Sequence, residues 1–148
     1  MRACIRPMHW ALEFPEVFSD ARVDPLAEDG VGKVWMDAVV GNPPFAGKNG
    51  ITTTSGPKYL AWLTSAYLPS HGNSDLSAYF FRRASSLVGA HGTIGLIATN
   101  TIGEGDTRTT GLQALLVHRL RIYDAVRVLK WPVKGANVTV SIVPLGAS

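Results

Sequence analysis

The chain has 148 residues, 46% of them hydrophobic, which is enough for one domain with a buried core and excludes a disordered chain. The formal charge of +3 is spread over 14 scattered lysines and arginines, so it permits a nucleic-acid partner without requiring one. Cys4 is the only cysteine, which excludes internal disulfides and fits a reducing cytoplasm. No apolar run reaches the roughly 18 residues of a membrane span, and residues 1–14 lack a signal-peptide core.

The first clear strand is KVWMDAVVG, residues 33–41, which ends in three apolar residues. That ending is typical of a strand covered on both faces. A long connection follows from Pro43 to about Asn73. It contains a predicted short helix with Ser55 or Gly56 as its N-cap and a proline in its first turn.

Residues 73–89, NSDLSAYFFRRASSLVG, form the strongest predicted helix. We expect Asn73 or Ser74 to cap it and Gly89 to end it. The residues that broadly share its apolar face are Leu76, Tyr79, Phe80, Leu87 and Val88.

The remaining segments alternate between strand and helix. Residues 93–100 predict a second buried strand, and residues 109–120 a shorter helix. Residues 121–131 and 137–145 read as strands that a hairpin over residues 132–136 joins. This order predicts an α/β fold with a mostly parallel sheet and a reversed last strand.

The sequence Asn42-Pro43-Pro44-Phe45 follows the first strand directly. In open α/β sheets, ligands bind beyond the carboxyl ends of the strands. Asn42 offers an uncharged carbonyl acceptor, and each proline restrains the residue before it. Neither proline has an N–H group, so the turn presents mainly carbonyl acceptors, while Phe45 offers a flat face for stacking a ring.

Two fixed acceptors beside an aromatic face suit a planar amine with two hydrogens, such as the exocyclic N6 of adenine. The lone pair of that nitrogen is delocalised into the ring. Acceptors placed for a tetrahedral nitrogen favour localisation of the lone pair and so stabilise the transition state of an attack. This chemistry needs no strong general base, and the sequence shows no obvious histidine–carboxylate arrangement.

The GNPPF segment resembles the catalytic motif of amino-group DNA methyltransferases that make N6-methyladenine, of the large restriction-modification and defence type. Three more segments resemble parts of that family: residues 8–18 precede the motif there, residues 75–108 follow it, and residues 130–143 match a late hairpin. The resemblance covers roughly residues 8–145. It implies part of a Rossmann-like class I methyltransferase domain that acts on DNA in the cytoplasm.

The resemblance also implies roles for single residues. Asn42 and the Pro43 carbonyl would accept the two amine hydrogens, with Pro44 completing the motif. Phe45 would stack on the flipped adenine, and Trp131, at the end of a strand before the late hairpin, would stack on it as well. The implied methyl donor is S-adenosylmethionine.

The family's cofactor site has no counterpart here, because no strand–glycine-rich turn–helix unit precedes Asn42. We therefore expect residues 1–148 to be a partial catalytic domain that lacks its first half, with the cofactor-binding turn. The GEGDTRTTG loop, residues 103–111, is not expected to bind phosphate or cofactor. Two alternatives stay open: methylation of another planar amine such as a protein glutamine, and an inactive truncated fragment. The long loop 46–72 and Trp131 count mildly against the first.

Other polar residues have weaker functional interpretations. The four histidines, His9, His71, His91 and His118, lack the spacing of metal ligands. Asp75 fits a helix N-terminus better than a cofactor site. Four basic residues could meet phosphates or simply lie in solvent. They are Lys48, Lys58, Arg82 and Arg83.

Overall fold

A computed structural model of the chain describes residues 10–18, 22–23, 33–34, 36–117, 120–131 and 138–147. It begins with two short helices, α1 (Trp10–Glu13) and α2 (Pro15–Phe18), and two short antiparallel strands, β1 (Arg22–Val23) and β2 (Lys33–Val34). The expected hairpin turn over residues 132–136 lies outside the described residues.

The rest of the chain forms one mixed sheet with helices. The elements are β3 (Met36–Gly41), α3 (Lys48–Ser55), α4 (Pro57–Ala66), α5 (Leu76–Ser85), β4 (Val88–Thr99), a 3₁₀ turn (Asn100–Gly103), α6 (Gly105–Arg108), a π-helical turn (Thr109–Gln113), α7 (Ala114–Leu116), β5 (Leu120–Ile122), β6 (Val126–Lys130) and β7 (Thr139–Ala147).

The five-stranded sheet has the order β3-β4-β7-β5, and β6 pairs with β7 along the same edge as β5. β3 and β4 are parallel, whereas β7 is antiparallel to β4, β5 and β6. Four strands therefore run in one direction, and the last strand runs against them between β4 and the β5/β6 edge. This confirms the α/β prediction with a reversed last strand.

The main core lies between one face of this sheet and the helices that follow β3 and β4. Alternate residues of β4 and β7 are buried there, because side chains of a strand alternate between the two faces. They pack against α5, the π-helical turn and α7. The members of this core are Ala78, Phe81, Ala84, Ile94, Leu96, Ala98, Ile102, Leu112, Leu115, Val143 and Leu145.

The expectation that β3 is covered on both faces is wrong. Val39 packs against the main core, but Val40, on the opposite face, is 82% exposed. Strand β3 also pairs with β4 alone in the described sheet, so it forms an edge. An apolar run therefore identified the strand but not the cover on its second face.

Two helices, not one, lie in the long connection after β3. α4 begins as predicted, with Gly56 as N-cap and Pro57 in its first turn. α3 was not predicted, because KNGITTTS combines a glycine with three β-branched threonines, which are weak helix formers. Among the described helices, none is long and apolar enough to cross a membrane.

α5 is shorter than predicted, and one residue of its predicted apolar face is exposed. Its N-cap is Asp75, whose carboxylate accepts from the Ser77 amide, and not Asn73 or Ser74. The helix ends at Ser85, so Gly89 does not stop it and already belongs to β4. Phe81 is fully buried, whereas Phe80 is 41% exposed. Tyr79 and Leu87 of the predicted face are buried and Leu76 and Val88 are half-buried, so Phe80 is the exception. Phe81, Ala78 and Ala84 complete the buried face.

The predicted helix 109–120 starts earlier, at Gly105, and runs through α6, the π-helical turn and α7 to Leu116. Its close approach to α5 depends on Gly111. A Cβ atom there would lie 3.1 Å from the Ala78 Cβ and 3.2 Å from the Ile102 Cδ1. Such distances are tighter than ordinary contacts, so a larger residue would push the two helices apart.

The predicted strand 121–131 is divided into β5 and β6. β6 contains a bulge, since its register to β7 shifts between Val126 and Leu129. Val128, inside the bulge, has a φ of 59°, which is a strained conformation for a β-branched residue.

Candidate functional site

Three strand ends meet at one edge of the sheet. Asn42 follows β3, Asn100 follows β4, and Trp131 follows β6. These strands run in the same direction, so the three residues lie at the same, carboxyl edge. Gly41 pairs with Leu96, and β4 continues to Thr99 before it ends. Asn42 is thus set back from the rim that β4 forms.

The Asn-Pro-Pro-Phe segment is an irregular loop between β3 and α3. Asn42 and Pro44 are exposed, Phe45 is half-buried, and Pro43 is buried. Within the described part of the chain, neither the Asn42 amide nor the Pro43 carbonyl makes a hydrogen bond. Among the described residues, both acceptors are therefore without a protein donor and remain available to the N–H groups of a ligand.

The loop is held in place just after the motif. The Leu76 amide donates a 2.7 Å hydrogen bond to the Ala46 carbonyl, which fastens the loop to the first residue of α5. The preceding residue, Asp75, is 8% exposed and its carboxylate accepts from the amide and the hydroxyl of Ser77. The Asp75 amide donates to the Thr107 hydroxyl. Asp75 is therefore a helix cap, as its position indicated, and positions the loop indirectly.

Trp131 is half-buried at the end of β6, and its amide donates to the Val138 carbonyl at 3.0 Å. Between β3 and β6 lie three strand spacings, which amount to about 14 Å across the sheet. Trp131 shares the edge with Asn42 but does not adjoin it.

A polar group occupies the middle of the same edge. The Ser141 hydroxyl donates to the Asn100 side-chain oxygen at 3.2 Å, and the Asn100 amide donates to Glu104 at 3.2 Å. Arg127, from the bulge of β6, lies 4.0 Å from the same carboxylate. Asn100 was not predicted as a site residue, although it follows the second parallel strand as Asn42 follows the first. Glu104 and Asp106 also place two carboxylates in the GEGDTR loop, which disfavours phosphate there.

The described residues include one histidine–carboxylate pair, which the sequence did not suggest. The His71 Nδ1 atom lies 2.9 Å from an Asp106 oxygen, and Asn73 donates to the same oxygen at 3.3 Å. Both partners of the pair are largely exposed. The Ser74 hydroxyl donates to the Asp106 carbonyl at 3.0 Å. The pair thus ties the segment before α5 to α6. Sequence spacing could not reveal it, because the two residues are 35 positions apart.

Arg82 has a structural role, and its guanidinium is not free to bind phosphate, a role that the sequence alone left open. Its guanidinium donates to the carbonyls of Leu68, Pro69 and Thr110 and lies 5.9 Å from the Tyr67 ring centre. Burial lowers the pKa of Arg82 from its ordinary value, and Tyr67 acts in the opposite direction. In contrast, Lys48, Lys58 and Arg83 are exposed.

The described residues lack the features that a cofactor or metal would need. In the described residues, no parallel strand is followed by a glycine-rich turn without carboxylates. The loop directly after β3 also has no carboxylate that could bind a ribose. The described residues therefore do not fit S-adenosylmethionine. In the parts of the chain that the structure covers, no group of three histidine, cysteine, aspartate or glutamate side chains could hold a metal ion.

Comparisons with known proteins identify the family. The profile of the Eco57I restriction-modification methylase family matches residues 1–127. A solved structure, that of the Type IIL restriction-modification enzyme MmeI in complex with DNA, is similar with a TM-score of 0.65 and 25% sequence identity. The match covers 77% of this chain but only 16% of the MmeI chain. No curated protein matches. Because the family profile spans most of the sequence, the chain belongs to the Eco57I restriction-modification methylase family.

Proposed function

We propose that this chain forms the substrate-binding part of a DNA adenine-N6 methyltransferase. The observation that carries the proposal is the pair of free acceptors, the Asn42 amide oxygen and the Pro43 carbonyl, at the carboxyl edge of β3. The family match and the DNA complex of MmeI support DNA as the substrate of this chain too. Because the chain spans 16% of the MmeI chain, the activity of the whole protein is part of the proposal.

In this proposal the two acceptors bind the two hydrogens of the adenine N6 group. They hold the nitrogen toward tetrahedral geometry, so its lone pair leaves conjugation with the ring and becomes nucleophilic. Such preorganised acceptors stabilise the charge that develops as the nitrogen attacks. In comparable sites, one oriented group lowers the activation free energy by roughly 2.7–4 kcal/mol. The methylated amine would carry a positive charge and would release a proton directly to water, so neither acceptor has to act as a base.

Ring contacts would hold the base. Phe45, half-buried beside the acceptors, is proposed to stack on one face of the flipped adenine, and Pro44 keeps the turn rigid. Trp131, on the same sheet edge, is proposed as the second stacking face. An adenine inside a duplex cannot enter this edge, so the base must leave the stack first.

S-adenosylmethionine is the proposed donor and would supply an electrophilic methyl group. Since the described residues do not fit this cofactor, we propose that its site is built by residues outside the described ranges, in a first half of the catalytic domain. We therefore propose that residues 1–148 are a partial catalytic domain that is inactive when isolated. We propose the cytoplasm as its location.

The test is a product analysis of a complete catalytic domain that contains this chain. Duplex DNA and a glutamine-containing peptide would be offered separately with labelled S-adenosylmethionine, and products identified by mass spectrometry. N6-methyladenine in the DNA supports the proposal. Methylglutamine alone would move the function to protein methylation, and label at cytosine would refute the assignment of the amine.

A further inference from the structure

A groove of about 220 Å³ lies between α4 and α5, beside the Asn42 loop. We call it the aromatic groove. Four of its rings form a continuous series of contacts: Tyr59 stacks on Trp62, Trp62 meets Tyr67 edge-on, and Tyr67 meets Tyr79. Phe80 and Arg83 of α5 line the opposite wall.

The groove combines rings that contact one another with two rings, Trp62 and Phe80, that are open to solvent. Tyr59 and Trp62 are 5.6 Å apart with ring planes at 24°, and Trp62 contacts Tyr67 at 6.4 Å and 84°. Even so, Trp62 is 53% exposed and Phe80 is 41% exposed. Ring faces that are fixed by neighbours but not covered lose little entropy when a flat ligand stacks on them.

The charge around the groove favours an anionic occupant. Residues 38–74 contain no aspartate or glutamate. Lys58 lies one helical turn before Trp62 on the same face of α4, and Arg83 lies three residues after Phe80 on α5. In the described structure neither cation forms an ion pair. Arg83 therefore brings an unpaired positive charge to the lining of the groove, and Lys58 lies one helical turn from Trp62.

The size of the groove limits what can enter. Pockets that bury a drug-sized ligand have roughly 300–1,000 Å³, and this groove is smaller. It suits one planar ring system and is too small for the whole of S-adenosylmethionine. A nucleotide of a nucleic-acid strand has such a flat ring and is linked to anionic phosphates, which could meet Lys58 and Arg83.

The groove is connected to the Asn42 loop. Leu76 lines the groove, and its amide donates to the Ala46 carbonyl, directly after Phe45. A strand that delivers a base to Asn42 could thus continue over α5 into the groove.

We propose that the aromatic groove binds an unstacked nucleotide of the DNA strand, apart from the target adenine, by stacking on Trp62 and Phe80 with phosphates at Lys58 and Arg83. This proposal rests on the proposed function for the identity of the nucleic acid. The groove and the Asn42 site make separate contacts, however, and can be tested separately.

The experiment measures fluorescence anisotropy of a labelled oligothymidylate of about 12 nucleotides with the 148-residue chain. Thymine carries no exocyclic amine, so the result does not depend on methylation at Asn42. Trp62→Ala should weaken binding about fivefold to a hundredfold, and Trp62→Phe should restore most of it. Tyr123→Ala is the matched control, because Tyr123 is an aromatic residue that is 64% exposed outside the groove.

The phosphate contacts have their own readout. Lys58→Gln with Arg83→Gln should reduce the slope of log affinity against log salt by about 0.7 for each phosphate that is no longer neutralised, whereas Arg108→Gln, an exposed control, should not.

Two binding results would overturn the proposal. In the first, the wild-type chain does not bind oligothymidylate; in the second, Trp62→Ala binds it as tightly as Tyr123→Ala does. Displacement of the oligonucleotide by S-adenosylmethionine would assign the groove to the cofactor. Self-association in light scattering that Trp62→Ala abolishes would assign it to a second copy of the chain. Circular dichroism of each variant shows that the fold is kept.

Discussion

The Leu76 amide donates a 2.7 Å hydrogen bond to the Ala46 carbonyl, so the first residue of α5 fixes the end of the Asn-Pro-Pro-Phe loop. The position of the loop depends in turn on the cap of the helix. Asp75 supplies this cap, and it is bound to α6 through Thr107. The geometry of the candidate acceptors is therefore coupled to packing between α5 and α6, away from the sheet edge itself.

Asp75→Ala should destabilise the chain by about 2 kcal/mol. Loss of an N-cap costs roughly 0.5–2 kcal/mol, and the buried Ser77 hydroxyl would also lose its acceptor. Asp75→Asn should retain most of the stability, because asparagine caps helices about as well as aspartate. Urea unfolding of both variants gives the comparison. Equal stability of Asp75→Ala and the wild type would show that the cap is dispensable.

Arg82→Ala should destabilise the chain by about 2–3 kcal/mol, because three carbonyls lose a charged donor and Tyr67 loses a cation–π partner. Arg83→Ala is the neighbouring control and should change the free energy of unfolding by less than about 0.5 kcal/mol, since Arg83 is exposed. Thermal and urea unfolding measure both. If the two variants were equally stable, the carbonyl contacts of Arg82 would contribute nothing.

The order of strands and helices could be predicted from the sequence, because the hydrophobic periodicity agrees with the glycines and prolines at the ends of the elements. Gly56-Pro57 marked the start of α4, and the apolar run of β4 marked a buried strand. The exposure of Phe80 on α5 could not be predicted in the same way. Phe80 and Phe81 are adjacent and equally apolar, and only the packing against β4 decides which of them is buried.

The position of Asn42 at the carboxyl end of β3 was predictable, because an apolar strand directly precedes a proline-rich turn. Contacts between distant segments were not, because nothing local encodes them. The His71–Asp106 pair and the tie from Arg82 to Thr110 depend on how α5 and α6 meet. The aromatic groove was not predicted from the sequence for a related reason. Trp62 and Phe80 look like core residues in sequence, and only the structure shows that both are exposed.

Asn42→Ala in a complete catalytic domain should lower the methylation rate by about a hundredfold or more, by analogy with a lost oxyanion-hole donor. Asn49→Ala is the control, since Asn49 is an exposed asparagine on α3. Single-turnover transfer from labelled S-adenosylmethionine measures the rate, and a filter assay measures cofactor binding, which should be unchanged. A variant with wild-type turnover would show that Asn42 is structural.

The isolated 148-residue chain should bind S-adenosylmethionine more weakly than about 1 mM, because the described residues provide no partners for its ribose and carboxylate groups. Isothermal titration calorimetry measures this, with a complete methyltransferase domain as the positive control. A dissociation constant in the low micromolar range would contradict the proposed half-domain and place the cofactor site within this chain.

Trp131→Ala in a complete catalytic domain should slow methylation about tenfold to a hundredfold, because stacking on a base is worth roughly 1–3 kcal/mol. Affinity for duplex DNA should change little, since phosphate contacts dominate it. Trp131→Phe keeps a ring face and should recover most of the rate, and Tyr123→Ala, an exposed aromatic control, should leave it unchanged.

The same variants separate stacking from packing. A fluorescent adenine analogue at the target position should brighten less with Trp131→Ala than with the wild type, because fewer flipped bases are held. Trp131 is half-buried and its amide donates to Val138 at the end of the β6–β7 pair, so a packing role makes a different prediction. In that case Trp131→Ala would lower the melting temperature while the rate per folded molecule stayed constant. Rate and melting temperature measured on one preparation therefore decide whether Trp131 belongs to the site.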